Sequence, residues 1–278
     1  MQVRIAVASV NLATGFAGTM YAQLRRILQP GQTIVECSTI HQHETDLSRG
    51  RLLGLLAQEP RPIALVGVCF RPDPTTVSAY RAAGVPVVLI DEEAEGASTV
   101  ATDNLAGGRL AGEHLARAGR RSVAIVAGKL HADATYVSQQ RLRGAEKALA
   151  EHGIRVAAEN VFEAPFYARK EGAHIMTQLL DEARSIDAIF CAAGDVCAAG
   201  MLAVARERRI KVPEQLAILG YDDNPQASIC EPPLTTIRQP IEGMAQEALR
   251  LAAQRTAEIL SRPERVLLPP TLVVRASA

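Results

Sequence analysis

Residues 102–126 read TDNLAGGRLAGEHLARAGRRSVAIV. Leu105, Leu110 and Leu115 with their neighbouring alanines fall on one helical stripe, Gly119 breaks it, and Ser122–Val126 is a short apolar strand pattern. A helix that empties through a glycine into such a strand is the repeating unit of an α/β fold, in which helices carry the chain back between parallel strands. The rhythm extends both ways. Strands are predicted at Val3–Ala8, Thr33–Cys37, Ile63–Val68 and Val85–Ile90 before it, and at Ala188–Ala192 and Leu216–Tyr221 after it. Phe16, Met20, Leu24, Ile27 and Leu28 form another helical stripe, and Gly31, Gly84 with Pro86, Gly153 and Pro213 supply the punctuation. The series runs as five strands up to Asp103 and restarts near Ser122. Two successive units of about 100 to 130 residues account for that restart.

Composition narrows the function classes. Thirty Lys plus Arg balance thirty Asp plus Glu, so nothing marks a polyanion binder, and 48% apolar residues suffice for two cores. Met1–Val10 reads as a strand containing Arg4, without a basic leader or cleavage site, which predicts a cytoplasmic chain. No run approaches the roughly 18 apolar residues of a membrane span. Five cysteines are scattered, with Cys37, Cys69 and Cys191 in or beside apolar runs, a pattern suited to free thiols in a reducing compartment. Cys191 and Cys197 are too far apart for a CxxC pair.

No nucleophile elbow, phosphate loop, HExxH helix or dinucleotide fingerprint is present, which argues against an enzyme. His41-Gln42-His43-Glu44-Thr45-Asp46 reads as a polar loop leading into a helix, so neither a metal nor a cofactor is expected. After Asp222 the rhythm changes. Pro225, Pro232 and Pro233 make a loop into Leu234–Arg238, followed by an alanine-rich helix, Ile241–Leu260, and a strand pair, Val266–Leu268 and Leu272–Arg275, around Pro269–Pro270.

Specific motifs sit on this frame. The segment Thr102–Ala111 with Gly119-Arg120-Arg121 and Ala124–Gly128, the run Gln140-Arg141-Leu142-Arg143-Gly144, and Asp187–Asp195 keep a fixed order with Val212-Pro213, Gly220-Tyr221-Asp222-Asp223 and Pro232–Pro240. Together they resemble the LacI/GalR family of bacterial regulators over roughly residues 100 to 278, with a looser fit before that. The resemblance implies a periplasmic-binding-protein-like fold of two Rossmann-like lobes joined by three crossing strands, with an effector held between them. It implies one lobe from residues 1–103 with about 236–263, and a second from 104–235 with 264–278. Family members carry an N-terminal helix-turn-helix and a hinge helix that this sequence lacks. A trimmed sensor domain is the favoured account, over a natural stand-alone relative. Operator DNA is then a partner only through an absent domain, and a homodimer is implied by the need for paired heads. A periplasmic sugar receptor of a transport system, with the same lobes, is the alternative.

The resemblance also implies binding residues. Ligands of open α/β sheets lie off the carboxyl ends of strands. Phe16, after Ser9–Gly15, looks like an aromatic wall, with a core aromatic as the other reading. Arg141 resembles the family's effector-binding arginine, whose planar fork suits hydroxyls or a carboxylate, whereas Arg143 reads as solvated. Phe166 occupies the family's stacking position, with Phe162 as its competitor. Asp195 reads as an acceptor of ligand hydroxyls, against a helix N-cap. Asp222 is a second acceptor, with Asp223 beside it, and Gln239 reaches the same space. Asp103, on the first crossing strand, is open between hinge and ligand contact. Two aromatics, an arginine and several carboxylates suit a sugar-like or nucleoside-like ring. Thr135 and Tyr136, with His131 and Asp133, stand where effector preference varies.

Overall fold

The strands are β1 (Val3–Val10), β2 (Gln32–Thr39), β3 (Ala64–Val68), β4 (Val87–Ile90), β5 (Ser98–Thr102), β6 (Val123–Ala127), β7 (Val161–Glu163), β8 (Ala188–Cys191), β9 (Ala217–Asp222), β10 (Thr235–Arg238), β11 (Arg265–Leu268) and β12 (Thr271–Val273). The helices are α1 (Gly15–Ile27), α2 (Asp46–Leu56), α3 (Pro74–Ala82), α4 (Asn104–Arg117), α5 (Tyr136–Glu151), α6 (Arg169–Asp181), α7 (Asp195–Glu207), α8 (Pro225–Ile229) and α9 (Ile241–Ala253). They come from a computed structural model that describes residues 3–10, 15–39, 44–130, 136–254 and 262–278. Thr135, His131, Asp133, His41 and His43 lie outside the described residues, as does the part of the expected helix beyond Gln254.

Two units result. The first, residues 1–102 with 240–268, holds a sheet in the order β11-β5-β4-β3-β1-β2. All its pairings are parallel. The second, residues 103–239 with 269–278, holds β12-β10-β9-β8-β6-β7, parallel except where β12 runs antiparallel to β10. Within each sheet the first strand in sequence is flanked by the second and third, so each has a switch point where the winding direction reverses. Such a point, at β6 and β8 in the second unit, is where open α/β sheets bind ligands.

Period-two side chains explain why both faces of each sheet are covered. On β1, Ile5 and Val7 face α1 and α9 in one core, while Ala6 and Ala8 face α2 and α3 in the other. On β6, Ala124 and Val126 pack with α6 and α7, and Val123 and Ile125 with α4 and α5. Strands buried on both faces read as continuous apolar runs, which is why they stood out in the sequence.

The lobe boundaries differ from those implied by the resemblance. Residues 236–239 belong with the second unit, because β10 pairs with β9 and β12, and residues 264–268 belong with the first, because β11 extends the sheet beside β5. The expected strand pair around Pro269–Pro270 is therefore no hairpin: its arms join different sheets. Asp103 is not on a strand but caps α4, its carboxylate accepting from the Ala106 N–H at 2.9 Å. β7 is an element the sequence reading lacked.

Candidate functional site

The second unit gathers polar side chains at the carboxyl ends of β8 and β9. Arg141, on the second turn of α5, is only 5% exposed. Its Nε donates to Asn104 Oδ1 at 2.7 Å and its Nη1 to the Ala192 carbonyl at 3.0 Å. The guanidinium carbon lies 3.7 Å from the centre of the Tyr221 ring, and the Tyr221 hydroxyl donates to the same Asn104 oxygen at 3.1 Å. A desolvated cation over an aromatic face gains about 2 kcal/mol. The plane of the guanidinium is thus set by three neighbours before any ligand arrives. Glycines make this possible. A Cβ at Gly107 would strike the Tyr221 hydroxyl, and Cβ atoms at Gly108 and Gly144 would strike backbone of the facing helix, so α4 and α5 meet closely enough for Asn104 to reach Arg141.

Two carboxylates follow from the neighbouring strands. Asp195 opens α7 and is fully buried. Its Oδ1 accepts from the Thr236 hydroxyl at 2.6 Å and its Oδ2 from the Asn224 N–H at 3.0 Å, which ties α7 to β10 and to the start of α8. Asp222 ends β9 with φ +108°, and its Oδ1 accepts from Gln239 Nε2 at 2.7 Å. Burial pushes the Asp195 carboxyl well above the ordinary carboxylate range, the charge of Asp222 adds to this, and the Thr236 and Asn224 bonds oppose it. Burial raises Asp222 too, opposed by the Arg141 charge and the Gln239 amide. Asp223 turns away from this pair: Arg238 Nε and Arg275 Nη2 each hold it at 2.6 Å.

The structure therefore brings Arg141, Asp195, Asp222 and Gln239 into one electrostatic neighbourhood, but it gives them different standing. Asp195 does not cap its helix with its side chain; Gly194 is the capping residue, and both Asp195 oxygens are already engaged. Phe166 is 76% exposed on the loop after β7, anchored by its N–H on the Glu171 carboxylate at 3.2 Å. Phe162 packs against the core with Arg184 over its ring at 5.4 Å, so it is occupied structurally. Phe16 belongs to the first unit, half-buried against the core that includes Met20 and Met244. Arg143, read as solvated, is exposed on α5.

Asn104, Tyr221, Thr236 and Asn224 are the residues that sequence reasoning missed in these roles. Tyr221 ends an apolar strand and reads as core, and only its place one residue before Asp222 hinted otherwise. The polar loop ahead of α2 is structural where described: Glu44 accepts from Arg49 Nε at 3.0 Å, Thr76 Oγ1 at 2.7 Å and the Asp73 N–H at 2.8 Å. Among the described residues no group of three His, Cys, Asp or Glu side chains is placed to hold a metal ion. No helix among them is long and apolar enough to cross a membrane.

Residues 113–278 match the family model described as a periplasmic binding protein-like domain. The HTH-type transcriptional regulator CelR of Thermobifida fusca is 35% identical over 278 residues, covering 98% of this chain and 79% of that protein. The chain belongs to the LacI family of transcriptional regulators. Two solved LacI-type structures show the same architecture. A CelR–cellobiose complex superposes with TM-score 0.82 at 28% identity, over 99% of this chain and 84% of that one. A dimeric lac repressor lacking its C-terminal segment superposes with TM-score 0.82 at 25% identity, over 99% of both chains. These LacI-type relatives are regulators, which places this chain with the regulators and not with transport receptors.

Proposed function

We propose that this chain is the effector-sensing part of a cytoplasmic LacI-type regulator, and that it binds a sugar without altering it. The observation that carries the reading is the fixed Arg141 guanidinium over Tyr221, with the Asp222 carboxylate near enough to feel its charge. A planar donor and a carboxylate acceptor together satisfy adjacent ring hydroxyls, which both donate and accept. Gln239 holds Asp222 in place, and Asp195 positions the loops rather than touching ligand. Phe166 offers a flat apolar face for stacking, and Phe16 is the corresponding candidate in the first unit. The relative solved with cellobiose favours sugars over nucleosides. Binding would shift the balance between two arrangements of the protein and so control DNA binding by a helix-turn-helix. The acting form would be a homodimer, as the dimeric lac repressor relative suggests.

Thermal shift against cellobiose, glucose, ribose and adenosine tests this. A ligand at 100-fold its Kd adds about 2.7 kcal/mol of stability. Asp222→Asn should then weaken calorimetric binding by about 1.5–3 kcal/mol, the scale of a charged hydrogen bond, and Arg141→Lys, which loses the planar fork, by a similar amount. Recovered sugar should be chemically unchanged; conversion of any of these compounds, or full affinity in both variants, overturns the proposal.

A further inference from the structure

Asp222 and Asp223 are consecutive residues with positive φ, +108° and +52°, at the point where β9 ends. A Cβ crowds the backbone in that region, so two such residues in a row persist only where other contacts hold them. Here the contacts are ionic. The Asp223 side chain is 7% exposed, and its two oxygens are divided between two arginines: Oδ2 accepts from Arg238 Nε and Oδ1 from Arg275 Nη2, each at 2.6 Å. Arg238 ends β10, and Arg275 lies two residues past β12. Arg275 is itself fixed, its Nη1 donating to the Leu234 carbonyl at 2.8 Å and its N–H to the Thr235 hydroxyl oxygen at 2.9 Å. One carboxylate thus ties together the ends of β9 and β10 and the chain that leaves β12. On both strands the tie is next to a residue of the site. Asp222 precedes Asp223 and stands in register with Arg238, while Gln239 follows Arg238 and donates to Asp222 Oδ1 at 2.7 Å. The Asp223–Arg238 ion pair and the Asp222–Gln239 hydrogen bond are two consecutive rungs between the same strand ends, and the second has a neutral amide as its donor.

We infer that Asp223 is a positioning residue: held by Arg238 and Arg275, it fixes the turn that carries Asp222, so that the Asp222 carboxylate stands in one orientation before an effector arrives. This rests on the effector-binding reading above and deepens it, because Asp223 acts on binding without touching the ligand. A group that is already ordered costs less to bind than one that must be ordered on binding. The Arg238 side chain is 55% exposed, and an ion pair with so exposed a partner contributes little to folding. Losing that pair should therefore show in effector affinity far more than in stability, whereas a purely structural pair would show in neither.

Calorimetry on the intact chain, with whichever of cellobiose, glucose, ribose or adenosine stabilises the unsubstituted protein, tests the assignment. Arg238→Met removes the charge and keeps an unbranched side chain on an exposed position, so the variant folds. It should move Tm by less than about 4 °C and weaken binding by about fivefold, the scale of freeing one or two side chains. Asp223→Asn, which still tolerates a left-handed backbone but gives up both ion pairs, should lose at least as much affinity. In an Asp222→Ala background the added Arg238→Met should cost less than about twofold, because no carboxylate remains to be positioned. Undiminished affinity in Arg238→Met, or the same loss with and without the Asp222 side chain, overturns this inference alone. Failure of the unsubstituted chain to bind any of the four compounds overturns the effector reading and this inference with it.

Discussion

Glu92 shows how a single buried group sets a pH dependence. It is 3% exposed two residues past the end of β4, and burial lifts its carboxyl from 4.5 to about 7, opposed by Arg71 and reinforced by the charges of Asp91 and Glu93. A raised folded-state value means that the folded chain holds this proton more tightly than the unfolded chain. The stability tied to Glu92 is therefore complete below pH 4.5 and is lost as pH rises through about 7. Glu92→Gln mimics the neutral acid at every pH. It should match the unsubstituted chain at pH 4.5 and exceed it by on the order of 3 kcal/mol above pH 7, as read by urea unfolding at both ends. Parallel curves would refute the assignment. Asp195 and Asp222 act in the same direction, since both are raised by burial. At this scale the sequence was informative about identity and less so about role. Arg141 and Asp222 stand in recognisable motifs at strand ends, which is enough to mark them. That Asp195 is internally satisfied depends on Thr236 and on the Asn224 N–H, 41 and 29 residues away, and no local pattern encodes those partners.

Helix packing makes one substitution act with opposite signs at different glycines. Gly50 lies in α2 with open space around its Cα, so Gly50→Ala should stabilise by about 0.5–1 kcal/mol through lower backbone entropy in the unfolded chain. Gly108 lies on the α4 seam, where a Cβ would strike the Arg141 carbonyl and the Ala145 N. Gly108→Ala should destabilise by about 1–3 kcal/mol, the range for overpacking, and it should also weaken effector binding, because α4 carries Asn104. Equal melting temperatures for the two variants would show that the seam is looser than described. Elements were legible where burial imposes a period. The central strands of both sheets were found within a residue or two, because apolar runs between helical stripes have few other readings. β7, with three residues and no alternation, had no such signal. Pro269–Pro270 looks like a hairpin turn, yet β11 aligns Val266 with Val100 and β12 aligns Leu272 with Ile237. Pairing β11 with a strand 166 residues earlier is a tertiary choice that the local pattern does not contain.

At the scale of the molecule, the chain passes between its two units three times, after Thr102, Gln239 and Leu268, so neither unit is a continuous stretch. The restart near Ser122 revealed the number of units, but the exchange of short C-terminal segments followed from the family pattern and needed correction at 236–239 and 264–268. The proposed homodimer has a candidate surface within the second unit. A groove of about 280 Å³ is lined by Leu202, Ala199 and Ala203 of α7 and by Cys230, beside Ile229 of α8, which is 78% exposed. Arg206 and Glu231 form an ion pair at 3.2 Å at its edge. A two-fold contact needs a surface that complements itself, and here the exposed Ile229 lies beside a recess that is apolar along α7 and charged at Arg169, Arg206 and Glu231, so each copy's Ile229 can enter the other's groove. Ile229→Glu should convert a dimer to monomers in sedimentation at tens of micromolar, remove the concentration dependence of Tm, and leave effector binding intact, since Arg141 and Asp222 are on other elements. A chain that sediments as a monomer before substitution, or an Ile229→Glu variant that stays dimeric, would place the interface elsewhere.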